Sequence, residues 1–206
     1  MHVITMEGDS DAYAHTAQVA AAIHPYVHYI HVRLKQKGAL ELLALTRSMV
    51  NLGVPLQKIA VNDRVDVALL TSVGAIQLPA NGLPVAAVKS LLSEGTRCGV
   101  SVHSLEEAQA AEWAGAHYVL YGHVYETHCK PGVTPRGIAQ LKRISRLVSI
   151  PVIALGGIQP RHIPELYTAG ASGIAVRSGI WEAESPVAAV MAYRRMADRV
   201  AHRLHW

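Results

Sequence analysis

The amino-acid sequence predicts a single (β/α)8 barrel spanning residues 1–206. Three observations predict it. Short apolar runs alternate with longer helical patterns eight times in a chain of 206 residues. No composition shift or linker divides the alternation. The length suffices for one such barrel, at the short end of that fold's range. Strict βα repetition implies parallel strands joined by right-handed crossovers, and eight units imply closure. An open doubly wound sheet is the competing arrangement, which five or six strands would have favoured more.

The elements follow in order. His2–Thr5 reads as the first strand and Asp11–Ile23 as the first helix. Val27–Arg33 is the second strand; Leu40–Leu52 is a helix with Leu42, Leu45, Met49 and Leu52 at helical spacing. Lys58–Val61 is the third strand, with a helix around Val65–Leu70. Ala75–Leu78 is the fourth, with a helix from Pro84, a favoured first helical residue, to about Ser93. Cys98–Val102 is the fifth; Ser104 reads as an N-cap with Glu107 completing a capping box. His117–Tyr121 is the sixth, followed by a helix over Gly137–Leu147. Pro151–Leu155 is the seventh, with a helix from near Pro160, and Gly173–Val176 is the eighth, before a short helical turn and a long C-terminal helix.

Half of the residues are hydrophobic, 17% are charged and there is no Phe, so small and branched aliphatics are expected to fill a globular core. The net charge of +4 is mild and suits an anionic small molecule at least as well as nucleic acid. Arg194, Arg195, Arg199 and Arg203 alternate with Val190, Tyr193, Ala197, Val200 and Leu204 at helical spacing, the pattern of a helix with a solvated face. No nucleic-acid or membrane partner is therefore expected. Cys98 and Cys129 have no metal-type or disulfide-type spacing, and no leader or membrane-length apolar run occurs, which points to a cytoplasmic protein. Exposed apolar helix faces on a small barrel leave room for a homo-oligomer.

In a barrel of this kind the active site lies at the C-terminal ends of the strands, with phosphate commonly bound after the seventh and eighth. The residues there are Arg33 and Lys35, Asn62-Asp63-Arg64, Gln77, Ser101 to His103, His123, Gly156-Gly157-Ile158 and Val176-Arg177-Ser178-Gly179. Gly156 and Gly157 let backbone N–H groups approach an anion, and Ser178 adds a helix start; a tight turn alone would also explain the glycines. Arg33 and Lys35, two apart on a strand, would share one face toward the mouth, unless they lie in a loop facing solvent. Asn62-Asp63-Arg64 reads as a metal site, a polar anchor or a helix cap. Among 12 histidines, His24, His28, His31, His162, His202 and His205 belong to no arguable cluster. His123, in Gly122-His123-Val124-Tyr125-Glu126-Thr127, opens a long loop beyond a strand and is the candidate proton-transfer group. His123, His128 and Cys129 do not match a zinc pattern, and no metal site is expected.

Several stretches resemble the thiamine-phosphate synthase superfamily: Ala60–Ala68 through Asn62-Asp63-Arg64, Gly99–Ala108, Ala154–Ile158 and Gly170–Ser178. The resemblance covers nearly the whole chain in order. Within it stand two readings, the synthase and the thiazole tautomerase (TenI type). The synthases hold Mg²⁺ with the Asp of Asn-Asp-Arg and a second carboxylate after the fourth strand, but Gln77–Gly82 contains none here. They carry Pro after the glycine of the sixth strand, where this chain has His123; and Cys129 replaces a hydroxyl in their Thr-x-Thr-Lys, with Thr127 and Lys130 kept.

These departures imply the tautomerase. It would convert the 2-carboxy-4-methylthiazol-5(2H)-ylidene ethyl phosphate to the aromatic carboxythiazole phosphate, without cofactor. His123 would be the acid/base, worth roughly 10²–10⁴-fold. Gly156, Gly157, Arg177 and Ser178 would hold the phosphate, and Arg33, Lys35, Asn62, Ser101, Thr127 and Lys130 would complete the substrate site. Thiamine-phosphate synthase is the alternative, followed by a non-catalytic regulatory barrel.

Overall fold

The computed structural model describes the backbone at residues 1–7 and 10–204 and side chains at 1–7 and 12–200. Eight parallel strands close on themselves in sequence order. They are β1 (His2–Ile4), β2 (Tyr29–Val32), β3 (Ile59–Asn62), β4 (Ala75–Leu78), β5 (Arg97–Val102), β6 (Tyr118–Gly122), β7 (Val152–Leu155) and β8 (Gly173–Val176). Closure is made by β8 on β1, with His2 opposite Ala175 and Val3 opposite Val176. The crossovers carry α1 (Ser10–Ile23), α2 (Ala39–Asn51), α3 (Val65–Thr71), α4 (Val85–Lys89), α5 (Leu105–Trp113), α6 (Gly137–Leu147) and α7 (Ile163–Thr168). The short α8 (Ser178–Trp181) and long α9 (Pro186–Leu204) follow β8.

Most predicted boundaries fall within a residue or two. The helix expected near Pro160 does start there, as a 3₁₀ turn that runs into α7. Two local expectations fail. The helix expected from Pro84 to Ser93 is only Val85–Lys89, with Pro84 as its extended N-cap. Ser104 caps α5 by accepting from the Glu107 N–H at 3.1 Å, but the Glu107 carboxylate reaches back to the His103 N–H, one residue before the cap. On α9, Val190 and Tyr193 are buried as the pattern requires, while Arg203 and Leu204 lie outside the described side chains.

Strand alternation divides the core in two. Val3, Ile30, Val32, Val61 and Val119 point outward and pack beneath the helices. Ile4, Leu120, Ile153 and Ala175 point inward and fill the barrel. The floor of the barrel departs from the aliphatic expectation. His2, Tyr29, His31 and Tyr118 form it, with the two tyrosine rings stacked at 6.3 Å and His2 edge-on to Tyr118 at 5.4 Å.

Burying imidazoles in this layer disfavours their charged forms. Burial pushes His31 down from 6.5 to about 4, and His2 is lowered in the same direction by burial and by the neighbouring His31. The unfolded chain therefore takes up protons below pH 6.5 that the folded chain refuses until about 4. Stability is fully present above that window and is lost as pH falls through it. Urea midpoints should drop steadily from pH 7 to pH 4.5, and His31→Leu should flatten that dependence. An unchanged slope in the variant would show that the acid sensitivity lies elsewhere.

Candidate active site

A cavity of about 1160 Å³ opens at the C-terminal ends of the strands. All eleven residues that the sequence nominates border it: Arg33, Lys35, Asn62, Ser101, His123, Thr127, Lys130, Gly156, Gly157, Arg177 and Ser178. Four elements of local chemistry position them.

The first is the seventh-strand turn. Gly156 and Gly157 have φ of +101° and +65°, and a Cβ on Gly157 would lie 2.2 Å from the Glu126 carbonyl oxygen. A Cβ on Gly156 would lie 2.3 Å from the Cβ of His123. Glycine is required here by contact as well as by conformation. The strand-six loop is stitched to this turn by Val124 N–H to Leu155 O at 2.9 Å and Tyr125 N–H to Gly156 O at 3.1 Å. Beneath it, the Tyr193 hydroxyl of α9 donates to the Ile158 carbonyl at 2.8 Å.

The second is a group of cations. β2 ends at Val32, so Arg33 and Lys35 lie beyond the strand and not on it, yet both face the cavity. Arg33 N–H donates to the Thr5 hydroxyl at 2.9 Å, which in turn donates to the Arg33 carbonyl at 3.3 Å; this clasp continues the strand's path without its ladder. Burial, then the neighbouring Arg177, disfavours charge on Arg33, while Glu7 at 3.9 Å opposes that shift. Burial and the nearby Arg136, Lys35 and Arg33 lower Lys130. Arg177 places Nη2 2.8 Å from the Cys129 sulfur, and its Nε is buried without a partner. Such mutual repulsion in a cavity wall suits a multiply charged anion.

The third is the β3–β4–β5 rim. Asn62 and Asp63 do not cap α3; its N-cap is Arg64, which makes no capping bond by its side chain. Asp63 has a φ of +66° and donates its N–H to the Gln77 carbonyl at 2.9 Å. Gln77 donates through Nε2 to Ser101 Oγ at 3.1 Å. Arg64 is held by Asp66 in a surface ion pair. Asp63 has no second carboxylate beside it in Gln77–Gly82, and among the described residues no group of three or more His, Cys, Asp or Glu converges to hold a metal ion. The two-carboxylate Mg²⁺ site of the synthases does not fit these residues.

The fourth is the pair of histidines. His103 donates from Nδ1 to the Gly122 carbonyl at 2.9 Å. His123 is buried and donates from Nε2 to the Val133 carbonyl at 3.1 Å; its Nδ1 is buried without a partner. His123 thus ties down the far side of the loop that carries Thr127 and Lys130. Three histidines set aside in the sequence do have partners: His162 accepts from the Gln159 N–H at 3.1 Å, and His31 and His28 make longer-range contacts. His31 joins His2 to Asn62, and His28 accepts from the Met1 ammonium at 2.7 Å. For His31 the signal was strand alternation, which places it on the same face as Tyr29.

The comparisons agree on the family. A family model described as thiamine monophosphate synthase matches residues 1–180. A thiamine-phosphate synthase of a Roseiflexus species is 36% identical over 197 residues, spanning 93% of this chain and 82% of that protein. Another, from Xanthomonas campestris, is 39% identical over 189 residues, spanning 87% and 88%. Among solved structures, the thiamine phosphate pyrophosphorylase of Pyrococcus furiosus superposes with a TM-score of 0.79 at 30% identity, over 97% of this chain and 95% of that one. A 3-hexulose-6-phosphate synthase at 19% identity and a TM-score of 0.71 shares the fold alone. No helix of the described residues is long and apolar enough to cross a membrane.

These relatives overturn the tautomerase expectation, and they lend the isomerase class no support. They carry the synthase name across most of the chain. The departures at Gln77–Gly82, His123 and Cys129 are few beside the sequence shared over most of the chain. The chain is an enzyme of thiamine biosynthesis, and it belongs to the thiamine monophosphate synthase family.

Proposed function

We propose that the site joins a thiazole phosphate to a pyrimidine diphosphate, forming thiamine phosphate and releasing diphosphate. One observation carries this reading: the cavity wall combines two kinds of anion-binding chemistry, a backbone turn and a group of cations. The glycine turn at Gly156-Gly157 with Ser178 supplies one, and Arg33, Lys35 and Lys130 supply the other, with Arg177 facing that group. The cavity wall holds six Lys or Arg side chains against two carboxylates, Asp63 and Glu126. A substrate with one phosphate needs only the first. Two phosphorylated substrates need both, and a cavity of about 1160 Å³ has room for the pair.

In this reaction the thiazole nitrogen forms a C–N bond to the exocyclic carbon of the pyrimidine. The C–O bond to diphosphate breaks, and diphosphate leaves with the bonding electrons. The protein's task is to align the two rings and to stabilise charge building on the leaving group. The glycine turn fixes the thiazole phosphate through backbone N–H groups. Lys130, Arg33 and Lys35 meet the diphosphate. His123 acts as a positioning residue, holding Val133 and so the Thr127–Lys130 segment over the cavity.

The test is turnover of the purified chain with both substrates, with and without Mg²⁺. Thiamine phosphate and diphosphate should appear in equal amounts. No thiamine phosphate under either condition would overturn the proposal.

A further inference from the structure

A chain of three polar side chains, two buried and one half-buried, runs from the floor of the barrel to the cavity. His2 Nδ1 lies 2.9 Å from His31 Nε2. His31 Nδ1 lies 3.2 Å from Asn62 Oδ1. His2 and His31 are 6% and 0% exposed, and Asn62 closes β3 and borders the cavity. The substrate chemistry proposed above uses neither histidine.

Directionality makes this chain more than packing. Both imidazoles are neutral, because burial lowers each one well below its ordinary range. A neutral imidazole has one donor and one acceptor nitrogen. The amide oxygen of Asn62 can only accept, so His31 Nδ1 must carry the hydrogen. Its Nε2 is then an acceptor, which requires the hydrogen of His2 on Nδ1. With the Asn62 oxygen facing His31, one placement of protons satisfies every link, and it turns the NH₂ of Asn62 away from His31. The reverse placement would need the Asn62 amide turned over and both histidines in the other tautomer. The stacked rings of His2 and His31, 5.1 Å apart and flanked by Tyr29 and Tyr118, leave little room for either ring to rotate, which fixes the nitrogens that face each other.

We infer that His2 and His31 are positioning residues that lock the Asn62 amide with its NH₂ toward the cavity, so that the ligand group seated there must be a hydrogen-bond acceptor. An unprotonated ring nitrogen, an anion oxygen or a hydroxyl oxygen qualifies; a group that can only donate, such as a ring N–H, is rejected. Asn62 alone would accept either kind, since an amide rotates by half a turn at little cost in the open. With the oxygen committed to His31, the wrong ligand would leave two donors facing each other, and an unmet buried polar group is penalised more than a made hydrogen bond is rewarded.

The test has two arms. The first reads the tautomers in the wild-type chain by long-range ¹H–¹⁵N correlation of the imidazole rings at neutral pH. His2 and His31 should both carry hydrogen on Nδ1; hydrogen on Nε2 of His31 would overturn the inference. The second arm rests on the transferase reading and measures thiamine phosphate formation. His31→Leu should raise the KM of one substrate about tenfold with kcat changed less than about threefold, because binding and not chemistry is disturbed. His31→Gln, which can both donate and accept, should restore KM to within about threefold. In an Asn62→Ala background, His31→Leu should add nothing further to KM. An equal additional rise there would mean that His31 only supports the barrel, and would overturn the positioning role. A wild-type chain that makes no thiamine phosphate counts against the transferase reading, and the tautomer arm still decides on the histidine pair.

Discussion

Gly157→Ala is expected to cut kcat/KM for thiamine phosphate formation by about two orders of magnitude, chiefly through KM for the thiazole phosphate. The left-handed φ of +65° alone would not do this. Placing alanine in that region costs about 1–2 kcal/mol, and the fold can absorb it. The decisive term is contact. The new Cβ would sit 2.2 Å from the Glu126 carbonyl oxygen and 2.8 Å from the Tyr125 Cβ. Neither is the free end of a flexible side chain. Tyr125 is pinned by its N–H to Gly156 and by its hydroxyl to Glu165 at 3.0 Å, with its ring stacked on His162 at 4.0 Å. The strand-six loop and the glycine turn must therefore separate, and the anion site is lost with the turn. Gly53→Ala is the control. Gly53 has a φ of +92° but nothing within 4 Å of a Cβ, and it lies after α2, away from the cavity. It should lose a little stability and no activity. Steady-state kinetics with each substrate varied, beside urea denaturation, checks both; wild-type KM in Gly157→Ala would remove the turn from the binding site.

Lys130→Ala should lower kcat by about 10²-fold, in line with removing one fixed charge from a site where charge develops. Burial, and then the repulsion of Arg136, Lys35 and Arg33 around it, disfavours charge on Lys130. That tension is relieved only when an anion arrives, and most when the leaving diphosphate gathers its full charge. The loss should therefore fall on kcat more than on KM. Lys130→Arg should recover part of it, because charge is kept while the point-like ammonium is replaced by a broader group. Raising salt should weaken the wild type more than the alanine variant. A kcat within threefold of wild type would place the developing charge elsewhere.

The barrel was legible because its signal is periodic and repeated. Each strand needed only to be apolar and short, and each helix only to follow it, so small boundary errors did not accumulate. The cavity residues were legible for the same reason, since a barrel sends the residues after its strands to one mouth. What escaped notice depends on contacts between distant segments. Arg33 and Lys35 were assigned to a strand, but the Thr5 clasp from β1 replaces the ladder there. Asn62 and Asp63 look like caps from local spacing, while their real partners are His31 and Gln77. His31 was set aside because its partners are 29 residues before it and 31 after it. The choice of reaction failed differently. Three substitutions inside a known pattern were read as a change of chemistry, although the cation group around Lys130 still provides for a second anion.

The two anion sites can be tested without turnover. Titration calorimetry with inorganic diphosphate, first on the free protein and then on protein saturated with the thiazole phosphate, measures whether both ligands fit together. The result expected is simultaneous binding, with the diphosphate Kd changed less than about threefold by the thiazole phosphate and weakened at least tenfold by Lys130→Ala. Mutually exclusive binding would mean a single anion site, and would contradict the assignment of two phosphorylated substrates to this cavity.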